Sequence, residues 1–117
     1  MGVYVHIPFC AQKCNYCDFH SVVVGDEESF SSVADNYLLS LRQEALYYRK
    51  IWGQEPLDTL FIGGGTPSLL PPDKLAAFIL FLREELPFVK HPEISMEANP
   101  QSLTAEGAKI LKDAGVN

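Results

Sequence analysis

An α/β fold with parallel strands is what this sequence predicts, and three observations carry the prediction. Short β-rich or apolar runs occur at residues 3–7, 57–62 and 93–98, and a stretch of helical periodicity follows each of them. Strands that alternate with helices run parallel and are joined by right-handed crossovers. The ends of the three runs also carry the least ordinary chemistry in the chain. In folds of this kind, ligands collect where strands end and helices begin.

The first run, Val3-Tyr4-Val5-His6-Ile7, is rich in strand formers. Residues 25–32 are polar and read as a loop, with Asp26-Glu27-Glu28 a solvated part of it. A long helix fits residues 32–52, where Ala34, Tyr37, Leu38, Leu41, Ala45, Tyr48 and Trp52 recur at steps of three and four and Gly53 suits the stop. The same stripe marks Tyr37, Leu41 and Tyr48 as core. Residues 57–62 form a second strand, mostly apolar and so expected to be buried on both faces.

Pro71-Pro72-Asp73 opens a second helix, because proline is accepted in a first helical turn. Leu75, Phe78, Ile79, Leu82 and Leu86 form its stripe, and Pro87 marks its end. Residues 93–98 make the third strand. Thr104 is the candidate N-cap of a last helix through Leu111, with Gly115 just beyond it. Gly115-Val116-Asn117 reads as the turn towards a fourth strand, so residues 1–117 are expected to form the N-terminal part of a larger domain.

At 117 residues and 47% hydrophobic, the chain can build the core of one small domain. A formal net charge of −6 disfavours a nucleic-acid partner, which requires a basic stripe. No run of about 18 apolar residues offers a membrane span. The start, MGVYVHIPF, lacks the basic n-region and small-residue cleavage site of a secretory signal. A cytoplasmic protein is expected.

Cys10, Cys14 and Cys17 are the only cysteines, and they form Cys-x-x-x-Cys-x-x-Cys directly after the first strand. An odd, clustered set in a chain without a secretory signal favours metal or cofactor ligation over disulfides. A loop of this spacing can aim three sulfurs at one centre, one ligand short of the four that an iron–sulfur cluster or a zinc ion usually takes. Zinc would need His6, His20 or Asp18 as a fourth ligand. It would also lack the second knuckle of most structural zinc sites, since His91 stands alone. A small zinc-binding interaction module is therefore the alternative of another class, and a cluster with one iron left open fits better. Gln12, Lys13 and Asn15 argue against thiols buried merely as core.

Gly63-Gly64-Gly65-Thr66-Pro67-Ser68 follows the second strand. Read plainly it is a tight turn. It lacks the third glycine of a dinucleotide fingerprint and the Gly-Lys-Ser/Thr ending of a P-loop. Glycines there still permit close backbone approach to a polar ligand. Glu97 ends the third strand as a solvated carboxylate or as a contact for ribose hydroxyls or an ammonium group. Tyr4 and Tyr16 either pack or serve a ligand, and Tyr16, between two cysteines, suits shielding a cluster or lying against an adenine.

Tyr4-Val5-His6-Ile7-Pro8-Phe9-Cys10, Cys14-Asn15-Tyr16-Cys17-Asp18-Phe19 and the glycine segment together resemble the oxygen-independent coproporphyrinogen III oxidase family of radical S-adenosylmethionine proteins. The resemblance spans the chain from Tyr4 to about Gly115. It implies three βα units forming the first half of a partial (β/α)6 barrel. Cys10, Cys14 and Cys17 would hold three irons of a [4Fe-4S] cluster, and S-adenosyl-L-methionine would chelate the fourth. Gly64, Gly65 and Thr66 match the segment that binds its methionine end, and Tyr4, Tyr16 and Glu97 match further cofactor-contacting positions. The implied chemistry is reductive cleavage of the cofactor to methionine and a 5′-deoxyadenosyl radical.

The sequence departs from the oxidases in one place. They carry another cysteine two residues after the third ligand, where this chain has Phe19. The Cys-Asp-Phe form is more similar to the HemW-like branch, whose members act as heme chaperones. That branch is the favoured reading, and oxidative decarboxylation of coproporphyrinogen is the alternative. Porphyrinogen or heme would be the partner of the full-length protein. The isolated 1–117 chain is expected to be inactive and to self-associate, with Leu60 and Ile62 facing a half-built interior.

Overall fold

The computed structural model describes residues 2–10, 22–23, 27–52, 55–65, 67, 70–98 and 103–117. In chain order these form β1 (Gly2–Ile7), β2 (Phe9–Cys10), β3 (Val22–Val23), α1 (Glu27–Trp52), β4 (Leu57–Gly64), α2 (Pro72–Glu85), β5 (Phe88–Met96) and α3 (Ala105–Ala114). The three long strands make one parallel sheet in the order β1-β4-β5, with Val3 opposite Leu60 and Ile62 opposite Met96. Strands that follow one another in sequence are neighbours in space, as three strand–helix units require. β2 and β3 form a separate two-residue parallel ladder that sets Cys10 opposite Val23.

Side-chain alternation along the strands divides the sheet into two unlike faces. Val5, Ile7, Leu60, Ile62 and Ile94 are buried together with Ala34 and Leu38 of α1, Leu75, Phe78, Ile79 and Leu82 of α2, and Leu111 and Ala114 of α3. Tyr4 and Phe61 belong to the opposite face and are 56% and 40% exposed. β4 is thus buried on one face, not two, and Leu60 and Ile62 lie in the helix-covered core instead of facing an open interior. Composition alone misses this, because Phe61 is as apolar as its neighbours and only the pairing register shows its side.

Two element starts also differ from expectation. α1 begins at Glu27, inside the segment read as a loop, since acidic residues suit a helix N-terminus through the helix dipole and so resemble loop residues in sequence. β5 begins at Phe88 instead of Glu93. Leu57 pairs with Phe88 and Thr59 with Glu93, so the β5 backbone carries extra residues at this point. The irregularity accommodates Pro92, a residue confined to strand edges and bulges because it cannot donate to a ladder.

The stripe on α2 is as the spacing predicts, with Leu75, Phe78, Ile79 and Leu82 buried. Its N-terminus has Pro71 as the cap residue and Pro72 in the first turn. α1 is tied to α2 by Lys74–Asp35 and Arg49–Glu85 ion pairs, each at 2.7 Å. Arg42 also lies over the Phe81 ring, 5.2 Å from its centroid. Both pairs are substantially solvated, so each contributes only about 0–1 kcal/mol, and burial of the apolar stripes dominates. On α3 the Thr104 hydroxyl accepts from the Gly107 N–H at 3.0 Å, which is the expected N-cap. The helix runs to Ala114 and ends on Gly115 at φ 120°, a backbone region that favours glycine.

After that turn Asn117 reaches β5. Its backbone N–H donates to the Ile94 carbonyl at 2.9 Å, its Oδ1 accepts from the Ile94 N–H at 3.1 Å, and its Nδ2 donates to the Pro92 carbonyl at 3.1 Å. The chain following α3 therefore sits against β5, a strand at one end of the sheet order.

Candidate functional site

All three long strands run the same way, so their C-terminal ends share one rim. The Gly65 N–H donates to the Ile7 carbonyl at 2.7 Å, and the Glu97 N–H donates to the Ile62 carbonyl at 2.9 Å. These two bonds extend the ladder past the regular strands and fix the ends of β1, β4 and β5 side by side. Cys10 follows three residues after Ile7, and its backbone is held against Val23 by the β2–β3 ladder.

The side chains on the open face form a compact group at this rim. The Tyr4 and Phe61 rings stack with centroids 5.8 Å apart and planes within 16°. The Tyr4 hydroxyl lies 3.2 Å from Nδ1 of His6. Gly63 is the floor beneath them. A Cβ placed there would stand 2.7 Å from the Phe61 ring, 3.0 Å from Glu97 Oε1 and 3.2 Å from the Tyr4 ring. Gly64 meets a different demand, with φ at 112° and a notional Cβ only 2.7 Å from the Ile7 carbonyl oxygen and 2.8 Å from His6 Nδ1. The glycines thus let two rings, an imidazole and a carboxylate crowd onto the strand ends.

Below the rim, the Tyr37 hydroxyl donates to the His6 carbonyl, which ties α1 to β1. Burial, then the nearby Glu44 and Tyr4, raise the Tyr37 phenol above its ordinary pKa. A cavity of about 460 Å³ runs beside β1, lined by Val3, Val5, Tyr37, Leu41, Phe78 and Leu82 among others. Tyr4 and His6 also touch it.

Of the candidate residues, Tyr4, Gly64, Gly65 and Glu97 are brought together at the rim. Cys10 lies in β2, three residues beyond the end of β1. Cys14, Tyr16, Cys17 and Thr66 lie outside the described residues. Among the described residues, no group of three His, Cys, Asp or Glu side chains converges as a metal site. One member of the rim group, Phe61, was not singled out by sequence reasoning, and His6 was named there only as a possible fourth zinc ligand. Counting back by twos from Gly63 reaches Phe61, but placing it opposite Tyr4 needs the strand register.

A cysteine motif follows the first strand of this parallel α/β sheet, a glycine turn the second and a carboxylate the third. The Radical SAM superfamily profile matches residues 4–117. The chain belongs to the radical SAM superfamily. It is 43% identical over 117 residues to "Heme chaperone HemW" of Bacillus subtilis and 38% identical to the protein of that name in Escherichia coli. The alignments cover 99% and 100% of this chain but 30% of each relative, so the chain spans under a third of their length. Its backbone superposes with a TM-score of 0.87 on coproporphyrinogen III oxidase (HemN) from Escherichia coli, described as a radical SAM enzyme, at 31% identity. That match covers 99% of this chain and 26% of the oxidase.

Proposed function

We propose that this chain supplies the cluster- and cofactor-binding portion of a radical SAM heme chaperone. The observation that supports the reading is the rim at the strand ends, where Tyr4, the Gly63–Gly65 turn and Glu97 lie together, one short loop in sequence from Cys10. The donor chemistry fits the group. Three cysteines spaced four and three residues apart provide three thiolates and leave one iron open. The glycine floor and the Tyr4, Glu97 and His6 side chains offer a polar and aromatic bed beside it.

In this reading Cys10, Cys14 and Cys17 hold a [4Fe-4S] cluster, while Tyr4, Tyr16, Gly64, Gly65, Thr66 and Glu97 contact S-adenosyl-L-methionine. Such a cluster, held by these cysteines, would supply the electron for reductive cleavage of that cofactor. The protein's own part is to hold the cofactor against the rim and to fix its orientation. Each cysteine is needed, because one iron already lacks a protein anchor. Cys14→Ser in the full-length protein is expected to abolish cluster assembly, and iron analysis after anaerobic reconstitution checks this. A full complement of four irons in that variant would overturn the ligand assignment.

Heme handling is favoured over decarboxylation by the relatives named heme chaperones and by Phe19 standing where the oxidases of the resembled family carry a cysteine. The full-length protein is expected to bind hemin and to leave coproporphyrinogen III undecarboxylated under reducing conditions with S-adenosylmethionine. Release of carbon dioxide from that substrate would instead establish the oxidase reading.

A further inference from the structure

We infer that Phe61 is a positioning residue for the ligand that Tyr4 contacts. The inference rests on the proposal that Tyr4 binds S-adenosylmethionine, and it adds a residue that neither the motif nor the glycine turn includes. Tyr4 is 56% exposed, and an exposed tyrosine ring is ordinarily free to change rotamer. Here the ring is restrained twice. Phe61 lies flat against one face at 5.8 Å and 16°, and His6 Nδ1 stands 3.2 Å from the hydroxyl at the far end.

Phe61 is not part of the helix-covered core. The β4 side chains that build the core, Leu60 and Ile62, are fully buried on the other face, whereas Phe61 is 40% exposed on the open one. What the Phe61 ring does meet is Tyr4 and the strand above Gly63. A Cβ at Gly63 would lie 2.7 Å from Phe61 and 3.2 Å from Tyr4, so the glycine is what allows both rings to lie close to the strand beside the Glu97 carboxylate. Phe61 therefore sets the plane of Tyr4 before any ligand arrives. Preorganisation of this sort raises affinity by removing the cost of ordering a contact residue on binding.

The test is calorimetric titration of S-adenosylmethionine into the full-length protein with its reconstituted cluster. It compares the unmodified protein with Phe61→Leu, Phe61→Tyr, Tyr4→Leu and the Phe61→Leu, Tyr4→Leu double variant. Loss of an aromatic pair predicts about three- to tenfold weaker binding for Phe61→Leu, with iron content and thermal midpoint retained. Phe61→Tyr keeps a flat ring and is expected to restore the affinity. Because the two residues act together, the double variant should bind no more weakly than Tyr4→Leu alone.

Unchanged affinity in Phe61→Leu, with weakened binding in Tyr4→Leu, overturns the positioning role and leaves the Tyr4 contact standing. Unchanged affinity in Tyr4→Leu overturns both. If Phe61→Leu loses affinity together with iron or thermal stability, and Phe61→Tyr does not recover it, Phe61 is merely structural. Phe61→Met serves the same comparison should Phe61→Leu fail to fold.

Discussion

Gly64 and Tyr37 show how single residues hold the rim in place. At Gly64 the backbone adopts φ 112°, and the Ile7 carbonyl oxygen lies 2.7 Å from where a Cβ would be. That obstacle is backbone, so it cannot swing aside as a side-chain end can. Gly64→Ala is expected to destabilise the protein by about 1–3 kcal/mol, read as a lower thermal midpoint. Tyr37 anchors α1 to β1 through the His6 carbonyl, and its pKa is raised, chiefly by burial. A raised phenol pKa means that the unfolded chain releases this proton first as pH climbs. The stability it contributes is complete below about pH 10, the unfolded value, and is lost as pH rises towards the higher folded value. Tyr37→Phe should flatten that alkaline decline in denaturant titrations and cost about 1 kcal/mol near neutrality through the lost hydrogen bond. An undiminished alkaline slope in the variant would remove Tyr37 as its source. Glu97 was legible as a candidate from its place at a strand end, and Tyr4 from the family resemblance. Phe61 was not, because facing Tyr4 depends on strand register, which is a long-range property.

The elements divide by whether their ends carry a specific physical signal. Pro72 opens α2 and Thr104 caps α3 as expected, because a missing N–H and a hydroxyl acceptor act locally and leave a mark in sequence. The starts of α1 and β5 leave no such mark. Residues 27–31 are polar enough to read as loop, and Pro92 interrupts a strand that continues only because a ladder irregularity absorbs it. Gly115 was also legible, and its φ of 120° supplies the reason. Thr104→Ala should cost about 1 kcal/mol by removing the acceptor for the Gly107 N–H. Serine at this position should recover most of it. An alanine variant as stable as the parent would show that Leu103 and Ile110, which pack on the core, hold the helix start unaided.

At the scale of the molecule, the sheet is covered by helices on one face and bears Tyr4, His6, Phe61 and Glu97 towards the other. β1 and β5 stand at the two ends of its strand order. Relatives of about 43% and 38% identity continue well beyond the 30% of their length that this chain matches. Residues 1–117 expressed alone would therefore present that face to water, together with the parts of the strand edges that Asn117 leaves uncovered on β5. Edge strands with free backbone groups pair readily, and apolar surface of this kind favours association. Sedimentation of the isolated 1–117 chain is expected to show dimers or larger species. Among the described residues Tyr4 and Phe61 are large exposed hydrophobic side chains on the open face, so Phe61→Lys should shift the distribution towards monomer if that face is responsible. If Phe61→Lys associates as strongly as the parent, the strand edges are the contact instead. A folded monomer that binds S-adenosylmethionine with full-length affinity would show that three strand–helix units suffice for the site.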